Sequence, residues 1–83
     1  MDIKNWIICW FVDNTDLARK EVEKGCLNNY FEEGWIDSFG FISFMGDMEK
    51  EYGIYFSNNE FQDRGFATIE GLTDIVKKKI DEK

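Results

Sequence analysis

Trp35-Ile36-Asp37-Ser38-Phe39-Gly40-Phe41-Ile42-Ser43-Phe44-Met45 is where this chain changes character. A loop with Gly34 near its end runs into an Asp-Ser pair, and an apolar pattern of helical period begins at once. The pair therefore stands at or beside a helix N-cap, where unpaired backbone N–H groups and the positive end of the helix dipole collect. A serine there has two uses. It can cap the helix, since Ser and Asp are among the preferred N-cap residues, or it can carry a phosphate that the helix end favours. The reciprocal capping box is missing, because Phe41 and not Glu or Gln stands three residues after Ser38.

Downstream, residues 38–52 read as the second main helix, with Gly53 as its C′ residue. At about 100° per residue, Phe41, Phe44, Met45, Met48 and Tyr52 gather on one face, the core face. Phe39 falls nearly opposite, together with Ser43, Gly46, Asp47 and Lys50. It is either an ordinary isolated exposed apolar residue or a contact for a partner. Ile42 lies at the margin between the two faces and suits packing or contact equally. Gly40 and Gly46, each costing about 1 kcal/mol relative to alanine in a helix, leave the outer face low, which suits close approach of another protein or is merely tolerated. Met45 and Met48 read as core residues that can also border a pocket, because methionine adapts to irregular gaps.

Upstream, Ile3, Trp6, Ile7, Trp10 and Phe11 recur at helical spacing, so residues 2–13 read as a first helix. Asp13-Asn14-Thr15-Asp16 is a turn or cap cluster. Residues 17–24 contain good helix formers and end at Gly25; they form a short separate helix or an arm. Residues 26–37 are irregular, broken by Asn28, Asn29 and Gly34 and anchored by Leu27, Tyr30, Phe31, Trp35 and Ile36. A loop this long in a small domain is pinned to the core or functional. After it come the linker Ile54-Tyr55-Phe56 and a capping-box spacing from Ser57 to Glu60. A short helix anchored by Phe61 and ended by Gly65 follows. Thr68 caps the last helix, whose apolar stripe is Ile69, Leu72, Ile75, Val76 and Ile80. Lys77, Lys78 and Lys79 near its end suit the helix dipole.

Eighty-three residues predict one domain, residues 1–83. A chain this short buries roughly 60–65% of its unfolded surface, so its apolar residues must be well used. With 43% hydrophobic and 17% aromatic residues they suffice, and with no proline the glycines provide the punctuation. The prediction is all-α: three longer helices, one or two short ones, and a serine delivered by a long loop as the cap of the second main helix. The net charge of −7 disfavours nucleic acid and anionic membrane surfaces and favours basic partners. The absence of histidine excludes histidine-based acid–base catalysis or metal ligation. Cys9 and Cys26 lie outside any C-x-x-C motif and read as reduced, small apolar residues. The apolar run at 6–12 is too short to span a membrane, and no signal-peptide cleavage site accompanies it, which predicts a soluble, cytoplasmic protein.

Asp37-Ser38-Phe39, the helix that follows, the Gly53-Ile54-Tyr55-Phe56 linker and the run Phe66-Ala67-Thr68-Ile69-Glu70-Gly71-Leu72 together resemble the acyl carrier protein superfamily, the phosphopantetheine-attachment domains. The resemblance covers about residues 28–80. The Asp-Ser-Phe-Gly form, with Glu60-Phe61 downstream, is also similar to D-alanyl carrier proteins. The resemblance implies a small four-helix bundle of the acyl carrier protein type that is not itself an enzyme. Ser38 is then the residue that accepts 4′-phosphopantetheine from coenzyme A through a phosphopantetheinyl transferase using Mg²⁺, and Asp37 and Phe39 belong to the motif that presents it. The implied cargo is an acyl or aminoacyl group held as a thioester. Implied partners are an acyl- or aminoacyl-activating ligase and a downstream acyltransferase or synthase, met by a monomer.

On that reading Ile42, Ser43, Asp47 and Lys50 are the candidate partner contacts. Family members present acidic side chains along the outer face of the second helix. Here that face offers Gly40, Ser43, Gly46 and Lys50, with only Asp47 and flanking Glu51 acidic. The departure points to a specialised carrier with a dedicated partner. The alternative is a small acidic helical interaction module, immunity- or inhibitor-like, with no prosthetic group and with Ser38 as a cap only. An enzyme fits less well, because Glu32-Glu33 and Glu49/Glu51 lack evident catalytic partners.

Overall fold

Asp2 turns out of the first helix, and its carboxylate accepts the Asn5 N–H at 3.1 Å, so α1 (Ile3–Asn14) starts with a satisfied cap. The computed structural model describes residues 2–57 and 59–81. Ile3, Ile7, Ile8, Trp10 and Phe11 are all buried, which makes α1 the element that the others pack around. It stops at Thr15, whose backbone N–H and hydroxyl both donate to the Phe11 carbonyl.

Residues 17–24 contain a short separate helix, α2 (Arg19–Lys24), that buries Val22 and ends at Gly25. Arg19 ties it back to α1 by donating to Asn5 Oδ1 and, at 3.4 Å, to Cys9 Sγ. Both cysteines are free thiols. Cys26 is buried, which pushes its thiol pKa up, whereas Cys9 is half-exposed.

The long irregular stretch is pinned through Tyr30, Trp35 and Ile36, whereas Leu27, expected as an anchor, is exposed. The Tyr30 N–H donates to the Ala67 carbonyl at 2.9 Å, and its fully buried hydroxyl donates to the Phe66 carbonyl. The Cys26 carbonyl accepts the N–H of Glu70, a first-turn donor of the last helix that has no partner within that helix. Asn29 Oδ1 accepts from Phe31 and Glu32, and Gly34 turns the chain with φ 75°. Trp35 lies against Gly25, where a Cβ would come within 2.4 Å of its ring.

The stretch ends at α3 (Ser38–Tyr52), which closes on Gly53 in the left-handed region (φ 61°, ψ 40°). Phe44, Met45 and Met48 of the expected core face are buried; Phe41 and Tyr52 are half-buried at its edges. Ile54 and Phe56 are buried beyond it, and Tyr55 points outward.

The expected short helix is two successive 3₁₀ turns, Glu60–Gln62 and Arg64–Ala67, and Gly65 lies inside the second instead of ending the first. Asp63 makes the break: it is extended, and its carboxylate accepts the Gly65 N–H at 2.9 Å. Asn58, within the Ser57 to Glu60 capping stretch, lies outside the described residues. Glu60 accepts the Ser57 N–H at 2.8 Å, and the Ser57 hydroxyl also donates to Glu60, so only the glutamate half of the box forms.

α4 (Ile69–Asp81) follows, with Thr68 Oγ1 accepting the Gly71 N–H at 3.0 Å as the sequence predicts. Ile69, Leu72, Thr73 and Val76 are buried on it, and Ile75 and Ile80 are half-buried. Gly71 meets Gly65 backbone to backbone. A Cβ on Gly71 would stand 2.5 Å from the Gly65 oxygen and 2.6 Å from its Cα, atoms that cannot swing aside. Gly71→Ala is therefore expected to destabilise by about 1–3 kcal/mol, seen as a lower thermal midpoint, although alanine is the better helix former.

Lys79 does more than complement the α4 dipole. It pairs with Glu60 at 2.7 Å and sits 5.5 Å over the Phe56 ring, joining α4 to the first 3₁₀ turn. Partial burial of Glu60 opposes its ionisation, but hydrogen bonds from Lys79 and Ser57 outweigh this and hold its carboxyl below the usual range. A carboxyl lowered in the folded state contributes stability above its unfolded pKa and loses it as pH falls through the folded value. Unfolding free energy should thus drop on acidification below about pH 4.5, and Glu60→Gln should flatten that limb in urea titrations.

The described residues are helical or irregular, with no strand, and one cluster of buried side chains runs through all four helices. The Cα radius of gyration is 11.9 Å, close to the roughly 12 Å of a compact chain of this length. No helix among the described residues is long and apolar enough to cross a membrane.

Candidate functional site

Ile36 is buried and Asp37 is extended (φ −106°, ψ −176°), so the chain leaves the pinned loop at Ile36 and enters α3 two residues later. Gly40 makes room for this. A Cβ there would lie 2.9 Å from Ile36 Cγ1, which explains one of the two mid-helix glycines as internal packing. Gly46 faces open space.

Asp37, not Ser38, is the N-cap. Its carboxylate accepts the Gly40 N–H at 2.8 Å, and its carbonyl accepts the Phe41 N–H at 2.9 Å. The expectation that the serine caps the helix is corrected: with Asp37 already extended, Ser38 is the first helical residue. Its side chain is exposed, and among the described residues its hydroxyl has no hydrogen-bond partner. The backbone N–H groups of Ser38 and Phe39 likewise have no acceptor among the described residues. An exposed hydroxyl thus lies beside two free donors at the positive end of a 15-residue helix.

Phe39 is 83% exposed next to it, and Ile42, one turn on, is 70% exposed. Ile42 is therefore not a packing residue. With Phe41, Met45, Tyr55 and Phe61 it lines an open apolar groove of about 480 Å³ that begins one turn from Ser38. Met45 borders this groove while Met48 is fully buried, which separates the two methionines. Ser43, Gly46, Asp47 and Lys50 are exposed on α3.

Asp47 has a structural duty as well. Its Oδ2 accepts the indole N–H of Trp10 at 2.8 Å, bridging α3 to α1 across 37 positions of sequence. The signal for it was the indole itself, since a buried tryptophan N–H normally needs a partner. Sequence reading also missed the groove, because it placed Tyr55 in a linker and Phe61 as an anchor and set neither beside Ile42. Among the described residues no group of three or more His, Cys, Asp and Glu could hold a metal ion.

No family model, no curated protein and no solved structure matches this chain.

Proposed function

We propose that this chain is a carrier protein of the acyl carrier type. It holds an acyl or aminoacyl cargo on a 4′-phosphopantetheine arm at Ser38 and is not itself an enzyme. One observation carries the reading: Ser38 is exposed and, among the described residues, unpartnered at the first position of α3, while its neighbour Asp37 does the capping. The interaction-module alternative gives Ser38 a capping role that Asp37 already fills.

The residues present fit the group. Ser38 Oγ is open to an incoming transferase, and the N–H groups of Ser38 and Phe39, without an acceptor among the described residues, favour a phosphodiester at that end of the helix. Asp37 turns one carboxylate oxygen onto the Gly40 N–H, which leaves the serine as the open nucleophile of the pair. Phe39 and Ile42 flank the position as exposed apolar contacts for an enzyme that must approach it. When attached, the arm supplies a terminal thiol that carries the cargo as a thioester. The partners this reading requires are a phosphopantetheinyl transferase, an acyl- or aminoacyl-activating ligase and a downstream acyltransferase or synthase. Ser43, Asp47 and Lys50 are further candidate contacts, and a monomer leaves the surface around Ser38 free.

The test is the intact mass after co-expression with a broad-specificity phosphopantetheinyl transferase. The expected result is a gain of one phosphopantetheine group on Ser38. No gain with several transferases overturns the reading and returns the acidic interaction module to first place.

A further inference from the structure

We propose that two copies of this chain associate through the outer face of α3, crossing antiparallel at Gly46, with Phe39 of each copy seated in the apolar groove of the other. A glycine in the middle of a helix lowers helix stability. Gly40 is accounted for by Ile36 beneath it, whereas a Cβ on Gly46 would meet nothing within 4 Å. Packing inside the chain therefore gives no reason for so small a residue at this position. A second helix crossing there gives one, because the distance between packed helices is set by the side chains at their contact.

The surroundings of Gly46 are apolar and continuous. Phe39, Ile42, Gly46 and Glu49 recur at i, i+3, i+7 and i+10, one stripe along α3. The Glu49 carboxylate turns inward, where Oε2 accepts the Phe56 N–H at 2.9 Å. Tyr55, 77% exposed, lines the groove beside this stripe together with Phe41 and Phe61. Phe31 extends the patch, its ring 5.0 Å from that of Phe41, which lies 5.9 Å from Phe61. With about 200 Å² for a whole aromatic side chain, Phe31, Phe39, Ile42, Tyr55 and Phe61 leave roughly 500–600 Å² exposed. That is the upper end of what a monomer shows. Two such faces would bury about 1,000–1,200 Å², the size of a weak specific interface.

Shape and charge select a second copy as the occupant. A two-fold contact needs a projection and a recess on one surface, and α3 presents both about one turn apart. Phe39 projects, and the groove of about 480 Å³ receives it; a cavity of about 150 Å³ already holds a benzene ring. The register agrees. Phe39 stands seven positions before Gly46 and Gly53 seven after it, so a pair centred on Gly46 brings Phe39 to the far end of the facing helix, beside Tyr55. Charge on this face does not favour a basic partner: Lys50 balances Glu49, and Asp47 at the edge is committed to Trp10. Ser38 adjoins Phe39, so association covers the approach to its hydroxyl and the monomer is the form that an enzyme meets. That consequence rests on the carrier reading; the association does not.

Sedimentation equilibrium of the unmodified protein tests the association. The mass should rise with concentration from 9.8 kDa toward twice that value, with a dissociation constant on the order of 100 μM. Raising salt from about 20 to about 500 mM should tighten it, since two bodies of net charge −7 repel and salt screens them. Gly46→Glu should weaken it at least about ten-fold by opposing two carboxylates at the crossing. That variant should fold as wild type does, because position 46 faces open space and glutamate is the better helix former. Phe39→Ala should weaken association about five-fold or more. Lys78→Gln, the same change in charge at an exposed site on α4, should leave it unaltered. A protein that stays at 9.8 kDa up to millimolar concentration overturns the proposal, and so does a dimer that Gly46→Glu and Phe39→Ala leave intact. A chain that stays monomeric, with Gly46→Glu raising the KM for phosphopantetheine transfer, gives this face to a partner enzyme and overturns it too.

The consequence for Ser38 is read from rates of phosphopantetheine transfer to wild type and Gly46→Glu, each relative to its own rate at high dilution. Above the wild-type dissociation constant the wild type should fall at least about two-fold behind the variant, as the monomer fraction falls. Coincident curves overturn the link to Ser38 and leave the dimer. A wild type that dimerises and is never modified overturns the carrier reading and leaves the dimer.

Discussion

Ser38→Ala is expected to abolish every gain of phosphopantetheine mass while moving the thermal midpoint by no more than about 3 °C. The hydroxyl is exposed and makes no hydrogen bond among the described residues, and exposed substitutions of that kind usually stay within about 0.5 kcal/mol. For a domain of this length that is a few degrees. Asp37→Ala is the counterpart. It removes the carboxylate that accepts the Gly40 N–H at 2.8 Å, should cost about 1 kcal/mol, and so should lower the midpoint by about 4–8 °C. Chemistry and capping are thereby assigned to adjacent residues, and intact mass together with a melting curve separates them. A wild-type mass gain that persists in Ser38→Ala would place the modification elsewhere and remove Ser38 from the site.

The bounds of α3 were legible because both of its ends use local chemistry: an Asp-Ser pair at one end and a left-handed glycine at the other. Which of Asp37 and Ser38 caps was not legible, since both are good caps and the choice depends on where the chain turns extended. Burial of Ile36 beneath Gly40 fixes that point, and it is a tertiary contact. Ile42 sits on the helical wheel between two faces, and only the placement of Tyr55 and Phe61 makes it line a groove. The Trp10–Asp47 bridge spans 37 positions and carries no local pattern. α2 buries only Val22, so its six residues offer too little periodicity to separate a helix from an arm. The break at Asp63 was readable in principle, because Asp two residues before Gly is a common turn arrangement. The all-helical architecture thus came from periodicity and caps, whereas the surroundings of Ser38 depended on contacts between distant segments.

Phe44→Ala should be the most damaging single substitution, costing about 3–5 kcal/mol. Phe44 is fully buried on α3, and its ring meets four others: Trp10 at 4.5 Å, Phe11 at 5.3 Å, Tyr30 at 6.3 Å and Trp6 at 6.4 Å between centroids. Three of these come from α1 and one from the pinned loop, so this side chain joins the Ser38 helix to both of its supports. Its neighbours are rigid rings that collapse poorly into a void, which places the loss at the upper end of the range. At 0.05–0.15 kcal/mol per residue the whole domain is worth only about 4–12 kcal/mol, so the variant should sit near its unfolding midpoint at 37 °C, with a Tm lower by at least about 15 °C. Phe44→Leu, which keeps most of the volume, should fold and still gain the phosphopantetheine mass. Phe39→Ala, five positions earlier on the same helix but 83% exposed, should leave Tm nearly unchanged and slow transfer to Ser38 instead. Circular dichroism melts and intact masses of the three variants check these outcomes together. A Phe44→Ala protein as stable as wild type would mean that α3 is held to α1 by something other than this ring cluster.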